Sequence, residues 1–268
     1  MVVRRVCKRL ELLTGEACLA IEIVEIISRS EQGVTRPYIC RADDNKIYYV
    51  KSYELPMRER VAELICNRLA VSLGLPVANS VVVDVPSSIL SNVSNSLDVS
   101  GLESGPAFAS ERQTGGGDIF YSHVESVPFD LRCKVLMFDR WIRNSDSTLS
   151  KHGGNPNMLW VPNKKAIVLI DHNLAFDTSF DTSVFYETHV FAGEGEALQS
   201  CEDEITASEA LRDEYKMSFE LALGGWDTIV REIPLEWLNG NTPVETDELL
   251  EQLDEYKLNC FWKISEEG

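Results

Sequence analysis

Oxygen-bearing side chains follow one another in the middle of the chain in an order that suits a hard metal ion. Asp146 follows the end of a helical pattern, the Asn-Pro-Asn triplet at residues 155–157 starts nine residues later, and Asp171 ends the apolar run at residues 166–170. Mg²⁺ prefers oxygen ligands and is usually held by one or two carboxylates together with substrate phosphates. Phosphoryl transfer needs such a metal and a separate carboxylate that orients the attacking hydroxyl. The order therefore has the layout of a kinase catalytic loop followed by a metal-binding Asp.

Each of these residues also has an ordinary structural interpretation. Taken alone, Asp146 is more simply explained as an Asp at a helix end or turn. Asp171 could cap a strand end, but a carboxylate after a buried strand costs free energy unless it is paired or binds a metal. In the usual kinase loop the metal-binding Asn follows the Asp by five residues, and Lys151 stands there in this chain. Loops tolerate insertions, so either Asn155 or Asn157 could reach the metal. Asn155 is preferred because Asn157 already begins the pattern of the next strand.

The central block and two flanking segments resemble the HipA-like kinases, relatives of the HipA toxin kinases. The block contains WIRNSD, NPNMLW and IDHNLAF, and the flanking segments are YYVKSYE at residues 48–54 and AELICNRLAVSLGLPV at residues 62–77. The resemblance implies an α+β, protein-kinase-like fold with a β-rich N-terminal lobe and a mainly helical C-terminal lobe. It also implies ATP and Mg²⁺ as cofactors, a Ser/Thr hydroxyl of a protein as acceptor, and a role in a toxin–antitoxin or related stress system.

Lys51 and Glu63 are candidates for the nucleotide side of such a site. Lys51 lies on the second strand of a predicted hairpin, where a kinase lysine pairs with the α and β phosphates. An exposed strand lysine would be the simpler interpretation of Lys51 alone, but the downstream carboxylates favour the functional role. The resemblance implies that Glu63 forms a salt bridge with Lys51. A solvated helix carboxylate is an equally supported interpretation of Glu63, because it lies away from the apolar ridge of its predicted helix.

Three more residues are nucleotide-binding candidates. Thr35 lies in the turn at residues 33–37, whose backbone N–H groups could cradle phosphate as a small nest, although no G-x-G-x-x-G or Walker-type motif is present. Phe108 and Ser110 form an F-x-S-like segment that the resemblance places at the hinge between the lobes, where backbone groups normally read the adenine. The Gly-rich stretch after Glu111 predicts the boundary, with an N-terminal lobe at residues 1–112 and a C-terminal lobe at residues 113–268.

The predicted elements agree with this division. Strands are expected at residues 19–28, 38–41, 46–52, 76–85, 102–110, 157–160 and 166–170. Helices are expected at residues 57–73, 128–144, 204–223 and 246–261, and a loop near the substrate groove is expected at residues 178–195. The tryptophans Trp226, Trp237 and Trp262 are expected in the core, because aromatic side chains carry much of a core's burial.

Composition limits the partners and the compartment. The chain has 268 residues, a net charge of −18 and seven cysteines. No apolar run approaches the ~18 residues of a membrane span, no cleavable signal is evident, and the absence of C-x-x-C predicts reduced thiols in a cytoplasmic protein. The acidic charge argues against direct nucleic-acid binding. Residues 193–268 contain 20 acidic and 5 basic residues, which are interpreted as solvated helix faces or as a docking surface for a basic partner.

The sequence therefore predicts an ATP- and Mg²⁺-dependent kinase. In it Lys51 holds the phosphates, Asp146 orients the acceptor hydroxyl, and Asn155 and Asp171 hold Mg²⁺. Two alternatives stay open. The altered loop at residues 151–154 suits a catalytically weak, kinase-like module that binds a nucleotide or a small companion protein. A small-molecule kinase would use the same core residues.

Overall fold

A closed five-stranded barrel forms the N-terminal part of the chain. The computed structural model describes residues 21–31, 35–51, 53–92, 97–192, 201–239 and 243–263. The barrel strands, in chain order, are β1 (Ile21–Arg29), β2 (Tyr38–Ala42), β3 (Ile47–Val50), β4 (Ser80–Val85) and β5 (Gly105–Glu111). Their order around the barrel is β1-β2-β3-β5-β4, and a short parallel pairing of β1 with β4 closes it. The strands predicted in this region are confirmed, with ends shifted by at most four residues.

The barrel encloses its own hydrophobic core. Burial alternates along β2 and β4, so every second side chain points inward. Tyr38, Cys40, Val50 and Ala109 are completely buried there. We call this group the barrel core; it is separate from the cluster that fills the rest of the molecule, which we call the main core.

The first long helix, α1 (Met57–Ser72), belongs to the main core rather than to the barrel core. The predicted helix at residues 57–73 is confirmed, and its ridge residues Val61, Ile65 and Leu69 are fully buried. Residues on its other sides are buried as well, as expected of a helix surrounded by protein. Gly74, with φ of +69°, ends the helix in the left-handed conformation that glycine tolerates best. The shorter helix α2 (Ser87–Asn92) follows β4.

A second, three-stranded antiparallel sheet carries the residues of interest. It consists of β6 (Gly117–Asp118), β7 (Met158–Val161) and β8 (Ala166–Leu169) in that order. Leu169 donates its N–H to the Pro76 carbonyl at 2.7 Å and accepts from the Ala78 N–H at 3.0 Å. These bonds tie the end of β8 to the chain between α1 and β4.

The helix α3 (Phe129–Trp141) ends just before the Asp146 loop, by which we mean residues 144–157. It stops three residues earlier than predicted. The Asn144 N–H bonds to the Asp139 carbonyl at 2.8 Å and the Arg143 N–H to the Arg140 carbonyl at 3.3 Å. This is the hydrogen-bond pattern of a Schellman motif, with Arg143 at φ of +50° where glycine is usual. The helix end therefore turns the chain sharply into the loop.

The remaining helices form the C-terminal part. They are α4 (Thr182–Thr188), α5 (Cys201–Ala207), α6 (Glu209–Leu223), α7 (Trp226–Glu232), α8 (Leu235–Leu238) and α9 (Thr246–Leu253). Short 3₁₀ turns occur at Tyr121–Ser126, Asp254–Lys257 and Asn259–Trp262. Trp226, Trp237 and Trp262 are buried, so their predicted place in the core is confirmed. The fold is mixed α+β, with a strand-rich N-terminal part and a helical C-terminal part. None of the described helices is long and apolar enough to cross a bilayer.

Three predictions for the C-terminal part were wrong in detail. The expected loop at residues 178–195 contains α4, whose first turn is capped by the Asp181 carboxylate accepting from two backbone N–H groups; residues 193–195 lie outside the described part. The expected helix at residues 204–223 is two helices, because the Ser208 side chain caps the start of α6. The expected helix at residues 246–261 ends at Leu253 and continues as 3₁₀ turns.

Candidate active site

Lys51, Glu63 and Asp171 form one ion cluster although they are far apart in the sequence. Lys51 follows β3 directly, and its backbone N–H donates to the Phe108 carbonyl at 3.0 Å. Its Nζ lies 2.8 Å from Asp171 Oδ1 and 2.8 Å from Glu63 Oε1. The contact with Asp171 also has hydrogen-bond geometry, and both carboxylates are ion-paired with the Lys51 ammonium. Glu63 is 2% exposed and is therefore not a solvated helix carboxylate.

Burial and charge act in opposite directions on these three groups. Burial by itself lowers the pKa of Lys51, but the two carboxylates outweigh burial and the pKa of Lys51 lies above its ordinary value. Burial raises the pKa of Glu63, because the neighbouring Lys51 offsets only part of the lost hydration. Asp171 also loses hydration, yet the Lys51 ammonium holds the pKa of Asp171 below its ordinary value. The cluster thus keeps a charged lysine beside an ionised Asp171.

Backbone contacts on both sides fix the position of Asp171. The N–H of Ile170 donates to the Asn157 carbonyl at 2.9 Å, and the N–H of His172 donates to Glu63 Oε2 at 3.0 Å. Asp171 itself has φ of +58°, a left-handed conformation that Asp adopts more readily than most residues. Its side chain keeps 33% of its surface exposed, so Asp171 is accessible to a ligand.

Asp146 lies against both candidate amide ligands. Asn155 Nδ2 and Asn157 Nδ2 donate to the same oxygen, Asp146 Oδ2, at 2.8 and 2.9 Å. Each amide therefore directs its nitrogen to Asp146, and none of the described hydrogen bonds uses its oxygen. Burial raises the pKa of Asp146, and the negative charge of Asp171 adds to this, while the two amides oppose it. A carboxyl with a raised pKa is better suited to accept a proton near neutral pH.

The additional residues of the Asp146 loop fold back as a small hairpin. Ser150 and Gly153 pair with each other, and the Thr148 N–H bonds to both the Asp146 and the Asn155 carbonyls at 2.9 Å. The chain can close in this way because Gly154 has φ of +159° and no side chain. A Cβ on Gly154 would lie 2.4 Å from the Thr148 carbonyl oxygen. The longer loop thereby returns Asn155 to Asp146.

The other predicted nucleotide contacts lie in the barrel. Phe108 and Ser110 are inside β5, where Ser110 is paired with both Tyr49 and Ser80. The Phe108 carbonyl accepts from Lys51, and the Phe108 side chain is buried in the main core. Thr35 lies in the connection from β1 to β2, and no described contact joins it to the ion cluster. Val34, the neighbouring member of the predicted nest, lies outside the described residues.

The sequence patterns miss three buried polar residues in and next to the Asp146 loop. Asp139, Asn144 and His189 are all buried. One signal for Asp139 is available in the sequence, since it directly follows the apolar run VLMF in the predicted helix. A charge at such a position needs a partner. Nothing in the sequence indicates that the partner is His189, 50 positions later.

Comparison with known proteins identifies the family of this chain. The sequence profile of the HipA-like kinase family matches residues 23–265. The chain belongs to the HipA-like kinase family. No curated protein sequence gives a significant match to it.

Three solved structures show similarity at low sequence identity. The Helicobacter pylori proinflammatory kinase CtkA is 14% identical, with 87% of this chain and 92% of that chain covered and a TM-score of 0.45. The open conformation of CtTel1 is 14% identical over 88% of this chain and 11% of that one, with a TM-score of 0.29. The FAT and kinase domain of CtTel1 is 15% identical over 88% of this chain and 21% of that one, with a TM-score of 0.34.

Membership of a kinase family supports a phosphotransferase that uses ATP, and the available donors fit the metal that such enzymes usually need. Asp146, Asn155, Asn157 and Asp171 offer only oxygen ligands, which suit Mg²⁺ and not a soft metal. Within the described ranges, no group of three or more His, Cys, Asp or Glu side chains could hold a metal. One or two carboxylates and the phosphates suffice for Mg²⁺, so this set is compatible with a substrate-assisted magnesium site.

Proposed function

We propose that this HipA-like kinase transfers the γ-phosphoryl group of ATP to a Ser or Thr hydroxyl of a protein. The observation that carries the proposal is the pairing of Lys51 Nζ with both Glu63 and Asp171 at 2.8 Å. A lysine held in place by a carboxylate suits phosphate binding, and a separate carboxylate such as Asp146 suits orientation of the acceptor hydroxyl. The protein nature of the acceptor rests on the family resemblance alone.

Each residue of the site has a role that follows from its contacts. Lys51 exchanges its hydrogen bond with Asp171 for one with the nucleotide phosphates, while Glu63 keeps the ammonium in place. Asp146 accepts the proton of the acceptor hydroxyl at Oδ1, because both amide hydrogen bonds go to Oδ2. Asn155 or Asn157, with Asp171, would hold Mg²⁺, which neutralises charge on the phosphates when bound. The protein thus works by positioning and charge compensation.

The finer architecture is part of the same proposal. Residues 1–112 and 113–268 form two lobes, and the nucleotide lies between them. Thr35 contacts the phosphates from the β1–β2 connection, and the end of β5 with Phe108 and Ser110 borders the adenine. None of the five described cysteines forms a disulfide, which suits a cytoplasmic protein. A toxin–antitoxin context and a small companion protein follow only from the resemblance.

The first experiment is label transfer from γ-labelled ATP with Mg²⁺, using the pure protein alone and then with a cell extract. Asp146→Ala is expected to abolish labelling, and Asp171→Asn is expected to weaken Mg-dependent ATP binding as well. Glu232→Gln is the control, since Glu232 pairs with Arg68 at 2.7 Å in a contact between α7 and α1 that includes none of the site residues. Phosphotransfer that survives Asp146→Ala would refute the assignment of Asp146.

If no protein is labelled while Mg-ATP binding is intact, the result would favour the small-molecule kinase or the catalytically weak nucleotide-binding module. Incubation with a small-molecule extract, followed by detection of labelled products of low mass, separates these two.

A metal titration decides between the two amides. Asn155→Ala and Asn157→Ala both remove one hydrogen bond to Asp146, so both are expected to lower activity. Only loss of the metal ligand raises the Mg²⁺ concentration needed for half-maximal activity. We expect this increase for Asn155→Ala, and an increase confined to Asn157→Ala would reassign the ligand.

A further inference from the structure

A buried polar network connects the Asp146 loop with the segment that follows Asp171. Asp139 of α3 is 2% exposed and His189, just after α4, is 3% exposed. Asp139 Oδ2 lies 3.0 Å from His189 Nε2. Asp139 Oδ1 accepts from Asn144 Nδ2 at 3.0 Å. Both oxygens of this buried carboxylate are therefore satisfied, although neither partner is Lys or Arg.

The hydrogen bonds of His189 assign its tautomer. The Phe191 N–H donates to His189 Nδ1 at 3.1 Å, so this nitrogen acts as the acceptor. In a neutral imidazole the other nitrogen then carries the proton, and Nε2–H donates to Asp139. The His189 N–H also donates to the Phe185 carbonyl at 2.9 Å, which continues the hydrogen-bonding of α4 to His189. His189 is thus fixed in both position and orientation.

The same network reaches the backbone on both sides of Asp146. On one side, Asn144 Oδ1 accepts from the Asp146 N–H in a long bond of 3.4 Å. On the other side, the Val190 N–H donates to the Ser147 carbonyl at 2.9 Å, and Thr148 pairs with His189. Asp139 therefore holds one side of Asp146 through Asn144 and the other side through His189.

A buried Asp–His pair costs free energy, because both polar side chains lose their hydration. Well-packed apolar residues of similar volume are often as stable as a buried pair of polar or charged groups. Stability by itself therefore does not account for Asp139 and His189. Their hydrogen bonds do have a consequence that apolar residues would lack, because they determine where the backbone of residues 146–148 lies.

We propose that Asp139 and His189 are positioning residues, which hold Asp146 in place and couple it to the segment that follows Asp171. The inference rests on the proposed function only in taking Asp146 as the group that receives the hydroxyl proton. The pair itself contacts no group assigned to the nucleotide. Its loss should therefore lower kcat and leave ATP binding nearly unchanged.

The test compares three variants with wild type. His189→Phe keeps an aromatic ring and removes the donor, whereas His189→Gln keeps a donor at a similar distance from the backbone. Asp139→Asn directs an amide N–H at a neighbour that is itself a donor. We expect His189→Phe and Asp139→Asn to lower kcat about tenfold or more, since small misplacements of reacting groups have large costs. The KM for ATP should stay within about twofold, and His189→Gln should recover much of the loss.

Amide hydrogen exchange gives a second measurement that does not need activity. His189→Phe should speed exchange in peptides covering residues 145–155 and 189–192, while peptides from the barrel stay as in wild type. Glu232→Gln serves as the control for a general loss of stability. Wild-type exchange in these peptides, or a wild-type kcat in His189→Phe, would overturn the inference. If wild type transfers no phosphate, the proposed function fails, and the exchange pattern still decides whether the pair positions the loop.

Discussion

Replacing Gly154 by Ala should slow phosphotransfer by displacing a loop segment rather than by removing a functional group. An added Cβ would lie 2.4 Å from the Thr148 carbonyl oxygen, 2.8 Å from its carbon and 2.9 Å from Leu149 Cα. Carbon atoms pack at about 3.5–4.0 Å, so the two segments must separate by about 1 Å. All three neighbours are backbone atoms, and no side-chain rotation can relieve the collision.

The displacement reaches Asp146, the carboxylate proposed to accept the hydroxyl proton, by a short route. The Thr148 N–H bonds to the carbonyls of Asp146 and Asn155, both at 2.9 Å. A shift of about 1 Å at a reacting group can cost on the order of 100-fold in rate. We therefore expect kcat to fall between about 10-fold and 100-fold, which corresponds to an increase of about 1.4–2.7 kcal/mol in the activation free energy.

Gly153→Ala is a matched control from the same hairpin. Gly153 also has a positive φ, +111°, but a Cβ there meets nothing within 4 Å. Both variants force an alanine into an unfavourable backbone conformation, which costs about 1–3 kcal/mol, and only Gly154→Ala adds the collision. The ratio of their kcat values, measured with label transfer at saturating ATP, isolates the effect of displacement. Equal kcat values for the two variants would refute the reasoning, and urea unfolding of both variants checks that they are folded.

Three further predictions concern stability and reactivity. Lys165→Gly should raise the free energy of unfolding by up to about 1 kcal/mol, because Lys165 has φ of +47° in the turn between β7 and β8; a lower urea midpoint would contradict this. Lys51→Met should lower the free energy of unfolding by up to about 3–5 kcal/mol, because the buried Glu63 must then stay charged without a partner or take up a proton. Adding Glu63→Gln should recover part of that loss, and purely additive effects in urea unfolding would argue against the coupling. At pH 8 a thiol reagent should modify the exposed Cys260 well before Cys40, because burial raises the pKa of Cys40 to about 12 and leaves almost no thiolate. Site-resolved mass spectrometry checks this order, and equal labelling rates in the folded protein would show that Cys40 is accessible.

Local patterns in the sequence predict most of the elements that carry the site. The apolar repeat of α1 and its Gly74 stop define that helix to within one residue, since both signals depend only on neighbouring positions. The apolar run before Asp171 likewise predicts β8. Local patterns do not predict the proximity of Asp171 to Lys51, because 120 positions separate the two residues.

The differences between the predicted and the observed structure have physical causes. Position 63 falls off the apolar ridge of α1, so periodicity suggests an exposed carboxylate, whereas α1 is buried on several sides. Residues 178–195 look like a loop because Ser, Thr and Asp are frequent there, and the same residue types also cap helices. Asp181 is in fact the cap of α4. Ser208 likewise caps the start of α6, although the surrounding pattern predicts one continuous helix.

The separation of the two hydrophobic cores has a thermodynamic consequence. Lys51 follows a strand that lines the barrel core, whereas Glu63 is on a helix embedded in the main core. Their ion pair is therefore sensitive to any sliding of one core against the other. A nucleotide that binds best when this pair is intact favours the arrangement that keeps it intact. Any partner or substitution that holds the two cores in that arrangement should therefore tighten nucleotide binding. By linkage, the free energy that it adds to nucleotide binding equals the free energy by which the nucleotide stabilises the arrangement that it favours.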